Sequence, residues 1–118
     1  MPLSERTEMS TPIDIAVFKE LQEAAGAEFV TELVDTFLEE APLMLKELRD
    51  AQATGLADVF RRAAHSLKSN SNTFGATQLG EMARDLELGG MIGDSAPLQA
   101  IEAEYQLVAA ALTELTNG

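Results

Sequence analysis

His65 is the only histidine of the 118-residue chain, and its neighbours favour a nucleophilic role for the imidazole. Lys68 follows it by three residues, and Arg61 and Arg62 precede it by four and three. A nucleophile surrounded by cations suits the acceptance of a doubly charged phosphoryl group. The chain has no cysteine, so we predict neither a thiol nucleophile nor a metal site of the usual zinc kinds.

The acidic residues are distributed unevenly around this histidine. The chain has 20 aspartate and glutamate residues and a formal net charge of −12, yet none of the 20 lies between Asp58 and Glu81. An even distribution would place about four acids in that interval. The gap indicates a local field that favours an anion beside His65. A basic, solvated helix face without a function is the alternative interpretation.

The segment around His65 has the period of an amphipathic helix, with one apolar face: Phe60, Ala64, Leu67, Ser71 and Phe74. At about 100° per residue, His65 falls roughly 140° away from Phe60. Polar side chains occupy the same outward half of the helix: Arg61, Arg62, Lys68, Ser69 and Asn72. We therefore predict an exposed imidazole, for which a plain surface histidine is the alternative.

Six small polar residues that are poor helix formers follow the histidine: Ser66, Ser69, Asn70, Ser71, Asn72 and Thr73. Ser69 lies one turn beyond His65, where a long side chain would obstruct the imidazole. The composition therefore favours close approach by a partner. Fraying of the helix towards Gly75 is the alternative explanation.

The sequence lacks the glycine-rich phosphate loop of ATP-binding proteins and the nucleophile elbow of serine hydrolases. We therefore expect the phosphoryl group to come from another protein. The acidic surface disfavours binding to nucleic acids and to anionic membranes. Every apolar run is short, which predicts no membrane span, and residues 1–10 indicate a flexible N-terminus rather than a signal peptide.

Helical periodicity over residues 11–118 predicts a single domain of globular composition, with 46% hydrophobic residues. A short first helix is predicted to begin with Thr11 as N-cap and Pro12 at its first position, and to end at Gly26. Its apolar stripe consists of Ile13, Val17 and Leu21. A long stripe from Phe29 to Leu48 predicts the second helix.

Pro42 lies inside the second helix, where we predict a kink rather than a break because the stripe keeps its phase.

The fourth helix is predicted over about residues 76–88. Small or polar residues bound the later helices: Gly55, Gly75, Gly89-Gly90, and Ser95 as the cap of the fifth. The predicted fold is all-α, an antiparallel four-helix bundle with an additional short N-terminal helix.

A family resemblance rests on several short motifs around the histidine: Ala64-His65-Ser66-Leu67-Lys68-Ser69, Phe74-Gly75-Ala76, Leu79 and Leu86-Glu87. Over about residues 60–87 the sequence resembles the histidine phosphotransfer (HPt) domain of multistep two-component phosphorelays. The helix pattern extends the resemblance to nearly the whole chain. The family usually has glycine where this chain has Ser69, which is still a small residue.

The resemblance implies that His65 accepts a phosphoryl group from the phospho-aspartate of one receiver domain and passes it to the aspartate of another. Lys68 would stabilise the phosphoryl charge. The implied partners are the receiver domains of a hybrid histidine kinase and of response regulators. The implied module is a cytoplasmic, monomeric phosphocarrier that has no kinase activity or cofactor of its own, since Mg²⁺ belongs to the receiver.

A receiver that covers His65 is expected to contact polar residues of the third helix: Arg61, Arg62, Ser69 and Asn72. Apolar anchors are needed as well, and the stripe of the first helix can supply them: Ile13, Val17 and Leu21. The alternative is that this stripe only packs against the bundle.

Two further functions remain open from the sequence. The dimeric phosphoacceptor bundle of sensor kinases generally has an acidic residue directly after its histidine, where this chain has Ser66. A receiver-binding adaptor without phosphotransfer is disfavoured by the presence of both His65 and Lys68. Met1 and the polar end of the chain are compatible with a complete small protein or with part of a longer one.

Overall fold

The computed structural model describes residues 12–89 and 94–117, and all regular structure in these two ranges is helical. Five helices follow one another: α1 (Ile15–Ala25), α2 (Ala27–Thr54), α3 (Ala57–Thr73), α4 (Thr77–Gly89) and α5 (Ala96–Asn117). The predicted all-α class is confirmed. The flexible N-terminus predicted at residues 1–10 lies outside the described residues. None of the described helices is long and apolar enough to cross a membrane.

Helix α1 begins later than the sequence suggested. Its N-cap is Asp14, whose Oδ1 accepts a hydrogen bond from the backbone N–H of Ala16 at 3.1 Å. The placement of Pro12 at the first helical position is therefore wrong, because the Asp14 carboxylate satisfies the first free amide of the helix two residues later. The predicted cap, Thr11, lies outside the described residues.

Helix α2 continues through Pro42 as one helix of 28 residues. The prediction that the proline does not split the helix is confirmed. Gly55 ends α2, and its N–H donates to the carbonyl of Ala51. The long apolar stripe therefore spans one side of the bundle without interruption.

Helices α2 to α5 enclose the hydrophobic core, since each contacts the next and α5 also contacts α2. Every one of the four contributes fully buried side chains: Val34, Leu48, Phe60, Leu67, Leu79, Ala83, Ile101 and Leu112. The ring of Phe37 lies between those of Phe74 and Tyr105, with centroids 5.3 and 6.0 Å away. These aromatic contacts join α2, α5 and the end of α3.

The turn between α3 and α4 holds α1 against the end of the bundle. The carbonyl of Gly75 accepts a hydrogen bond from the N–H of Asp14 at 2.7 Å. Gly75 has a φ of +84°, and a Cβ there would lie 2.8 Å from Asp14 O and 3.0 Å from Val17 Cβ. Both the conformation and the close approach therefore require glycine. Ile13 and Phe18, each 1% exposed, anchor α1 in the core.

The start of α5 differs in detail from the prediction. The helix follows Ser95, but the capping contact comes from Asp94, whose Oδ1 accepts a hydrogen bond from the N–H of Ala96 at 2.9 Å. The Ser95 hydroxyl instead accepts from the Gln99 side chain at 3.5 Å. Helix α4 ends at Gly89 as predicted, whereas Gly90 lies outside the described residues.

Candidate functional site

His65 lies on the solvent-facing side of α3, and 58% of its side chain is exposed. Its neighbours Ala64 and Leu67 are completely buried on the opposite side of the same helix. The amphipathic period therefore determines the orientation of the imidazole, because the apolar face of α3 is fixed against the core. The predicted exposure of His65 is confirmed.

A carboxylate from α4 binds the imidazole and its neighbouring cation together. Glu87 Oε2 lies 2.7 Å from His65 Nδ1, and Glu87 Oε1 lies 3.0 Å from Lys68 Nζ. The side chains of Glu87 and Lys68 are only 16% and 25% exposed. Glu87 thus connects the two residues that the sequence singled out.

The contacts of Glu87 determine which ring nitrogen of His65 is free. The Lys68 ammonium and then the His65 ring lower the pKa of the Glu87 carboxyl below its ordinary value of 4.5 through hydrogen bonds. An ionised carboxylate can only accept hydrogen bonds, so Nδ1 of His65 carries the proton. The lone pair of Nε2 is therefore free to act as a nucleophile.

The expectation that acidic residues are kept away from His65 is wrong. It rested on distance along the chain, whereas Glu87 lies 22 residues away and reaches the imidazole because α4 packs against α3. Glu87 was one of the family motif residues, but its contact with Nδ1 was not predicted. The field around the imidazole is therefore mixed, with a carboxylate on the Nδ1 side.

The predicted polar neighbours do not form one continuous ring around His65. Arg61 Nη2 lies 3.3 Å from Asp58 Oδ1, and Arg62 Nε donates to the Asp58 carbonyl at 3.4 Å. Arg62 also lines a groove of about 220 Å³ between α2 and α3, together with Glu47, Val59, Ala63 and Ser66. These two arginines are therefore turned towards the N-terminal end of α3.

The remaining two polar positions lie towards the other end of α3. The side-chain amide of Asn72 lies directly over Gly80 of α4, where a Cβ would collide with it. Ser69 is exposed one turn beyond His65. Of the polar α3 residues predicted to surround His65, Lys68 and Ser69 thus lie within one turn on its C-terminal side.

The apolar stripe of α1 is mostly engaged in packing. Ile13 is 1% exposed, so its assignment to the docking surface is wrong: its side chain is already buried in the core. Val17 and Leu21 are half-buried. The exposed apolar side chains that sequence reasoning missed include Ile15 on α1, at 37%, and Leu88 beside Glu87, at 66%.

Comparisons with known proteins agree with this geometry. The family model of the Hpt domain matches residues 32–111, which include the whole site. The crystal structure of histidine-containing phosphotransfer protein B from Pseudomonas aeruginosa PAO1 is similar, with a TM-score of 0.82 and 28% sequence identity, over 92% of this chain and 96% of that chain. No curated protein sequence gives a match. The chain therefore belongs to the Hpt domain family, whose members are histidine phosphotransfer intermediates of phosphorelays.

Proposed function

We propose that His65 is the phosphoacceptor of this domain, taking a phosphoryl group from the phospho-aspartate of one receiver and passing it to the aspartate of another. One observation carries the proposal: the 2.7 Å hydrogen bond between Glu87 Oε2 and Nδ1 of an imidazole that is 58% exposed. The bond orients the ring and leaves Nε2 free. The exposure gives a receiver access to that atom.

The chemical step follows from this arrangement. The Nε2 lone pair attacks the phosphorus of the receiver's acyl phosphate, in line with the leaving carboxylate oxygen. The N–P bond forms as the P–O bond breaks, and the aspartate leaves as a carboxylate. The ring gains positive charge while its Nδ1 proton stays hydrogen-bonded to Glu87, whose negative charge stabilises the product. The reverse reaction delivers the group to the second receiver.

The chain acts as a phosphocarrier without kinase activity of its own, because its sequence has no ATP-binding motif. Its partners are receiver domains of a hybrid histidine kinase and of response regulators, in a cytoplasmic relay. The receiver supplies Mg²⁺, and the carrier works as a monomer. The acidic net charge of −12 disfavours nucleic acid as a further partner.

We also infer an antiparallel bundle. His65 contacts Glu87, and seven residues further along α3, Asn72 lies over Gly80, seven residues earlier on α4. Contacts that run in opposite directions along two helices support an antiparallel pair. The two- and three-residue links of α2–α3 and α3–α4 favour antiparallel neighbours throughout. This arrangement brings Glu87 to the level of His65.

Lys68 pairs with Glu87 in the unphosphorylated domain and stabilises the phosphoryl group once His65 carries it. Its replacement by alanine should slow transfer or shorten the phosphohistidine lifetime about three- to tenfold, because one charge-assisted contact is lost. The melting temperature should fall slightly, since Glu87 loses its ion pair. Quenched-flow transfer and label decay measure the effect. Normal rates in Lys68→Ala, with slow transfer in Arg61→Ala or Arg62→Ala, would assign the role to an arginine.

The contribution of α1 to receiver docking is tested by two substitutions on the same helix. Val17→Glu should lower the free energy of unfolding by about 1–3 kcal/mol and the melting temperature by several degrees, because Val17 is half-buried beside the turn at Gly75. Ile15→Glu should leave the melting temperature near that of the unchanged chain and weaken receiver binding, because Ile15 is 37% exposed. Unchanged receiver affinity in folded Ile15→Glu would remove α1 from the interface.

The proposed function is tested by following phosphoryl transfer directly. The protein is mixed with candidate receivers carrying labelled phosphate, and a second receiver is then added. Label should move to the chain and on to the second receiver. A receiver whose acceptor aspartate is replaced by asparagine is the matched control and should receive none.

The same experiment separates the alternatives. Receiver binding without any labelling of the chain would indicate an adaptor. Light scattering distinguishes the phosphoacceptor bundle of a sensor kinase, which is an obligate dimer. A single-chain mass with efficient labelling supports the relay intermediate.

A further inference from the structure

An unpartnered hydroxyl lies one turn from the phosphoacceptor. Ser69 follows His65 by four residues on α3, and both residues are exposed. Side chains four apart on a helix share a face, with Cβ atoms about 5–6 Å apart. They also lean towards the helix N-terminus, which directs the Ser69 hydroxyl towards the turn that carries His65.

The hydroxyl of Ser69 differs from those of most threonines in the helices. Thr31, Thr54, Thr73 and Thr113 each donate a hydrogen bond to the carbonyl four residues earlier, at 2.8–3.1 Å. Ser69 makes no such bond within the part of the chain that the structure describes. Its hydroxyl is therefore available to a group that arrives beside the imidazole.

The cations near the imidazole are engaged before any phosphoryl group arrives. Lys68 is held by Glu87, and Arg61 is held by Asp58. Each must give up or share a carboxylate to contact a new anion, whereas Ser69 only exchanges a water molecule. A hydroxyl that can donate to the phosphoryl group only when His65 is phosphorylated stabilises the phosphorylated state selectively.

We infer that the Ser69 hydroxyl donates a hydrogen bond to a phosphoryl oxygen on His65 Nε2 and so lengthens the lifetime of the phosphohistidine. This role rests on the proposed function of His65. It is specific to chains that depart from the usual glycine of the family at this position, because glycine has no donor. Ser69 is thus a binding residue for the transferred group as well as a small residue that permits access.

The test uses phosphoramidate as a chemical donor, which labels histidine without any receiver. The decay of the phosphohistidine is followed by ³¹P NMR in the full chain and in Ser69→Ala and Ser69→Gly. Ser66→Ala is the matched control, because Ser66 is the neighbouring α3 serine that lines the groove towards α2. Thermal denaturation verifies that each variant is folded.

Loss of the hydroxyl in Ser69→Ala and Ser69→Gly should shorten the half-life about three- to tenfold, which is the range for one typical hydrogen bond. Ser66→Ala should decay like the unchanged chain. Equal half-lives for Ser69→Ala and the unchanged chain would overturn the inference, as would a longer half-life for Ser69→Gly. If His65 itself accepts no label, the proposed function fails and this inference fails with it.

Discussion

Replacement of His65 by glutamine is expected to abolish phosphoryl labelling while the helical content remains that of the unchanged chain. Glutamine has no nucleophilic ring nitrogen, and the sequence has no second histidine and no cysteine to accept the group instead. His65 is 58% exposed, so its loss removes little packing. Surface substitutions typically change the free energy of unfolding by about 0.5 kcal/mol, and the loss of the contact with Glu87 adds to this.

The chemistry of the label provides the second readout for His65→Gln. Label on the unchanged chain should be acid-labile and base-stable, as a phosphoramidate is. Circular dichroism and thermal denaturation should show a folded variant. Acid-stable label, or label that persists in His65→Gln, would identify a hydroxyl or carboxyl acceptor and make the assignment of His65 wrong.

The position of His65 on the surface was predictable because it depends only on local periodicity. The apolar residues of α3 recur at helical spacing, and their burial leaves the opposite face of the helix exposed to solvent. The same reasoning predicted the stripe of α2 that ends at Leu48, which is fully buried. Patterns within one helix therefore account for most of the fold.

The contact between His65 and Glu87 was not predicted because it depends on the register between two helices. An excess or deficit of acids along the chain says nothing about a carboxylate on the next helix. A usable signal was nevertheless present: residues 65 and 87 each lie eleven residues from Ala76, in the turn between α3 and α4. Pairing residues equidistant from that turn would have brought Glu87 to the imidazole.

The details of α1 show a second limit of sequence patterns. Pro12 and Asp14 both suit a helix start, and the capping bond of Asp14 to Ala16 decides between them. This shift takes Ile13 out of the helix and into the core, where it is 1% exposed. Phe18, next to the predicted stripe position Val17, is the buried residue of α1. Ile13, assigned to the docking surface from the stripe, therefore belongs to the core.

Glu87→Ala is expected to slow phosphorylation of His65 about ten- to hundredfold, by analogy with the loss of groups that orient a histidine ligand. Without the 2.7 Å bond to Nδ1, the ring can rotate and carry its proton on either nitrogen. A larger share of the product should therefore be phosphorylated on Nδ1. Labelling rates measure the first effect, and ³¹P NMR separates the two phosphohistidine isomers. Wild-type rates and a single isomer in Glu87→Ala would contradict the orienting role.

Glu87→Gln separates the hydrogen bond from the charge. Its amide oxygen still accepts from Nδ1, so the isomer should remain Nε2-phosphohistidine, but the rate should fall between those of Glu87→Ala and the unchanged chain because the negative charge beside the ring is gone. The pKa of Glu87 is lowered by folding, so the ion pair stabilises the fold above pH 4.5 and loses this effect as the pH falls through the lower folded pKa. Any stability difference between Glu87→Gln and the unchanged chain should therefore disappear in acid. A stability difference that persists in acid would mean that glutamine alters the packing at position 87. The phosphorylation rate of Glu87→Gln would then no longer report on the loss of charge alone.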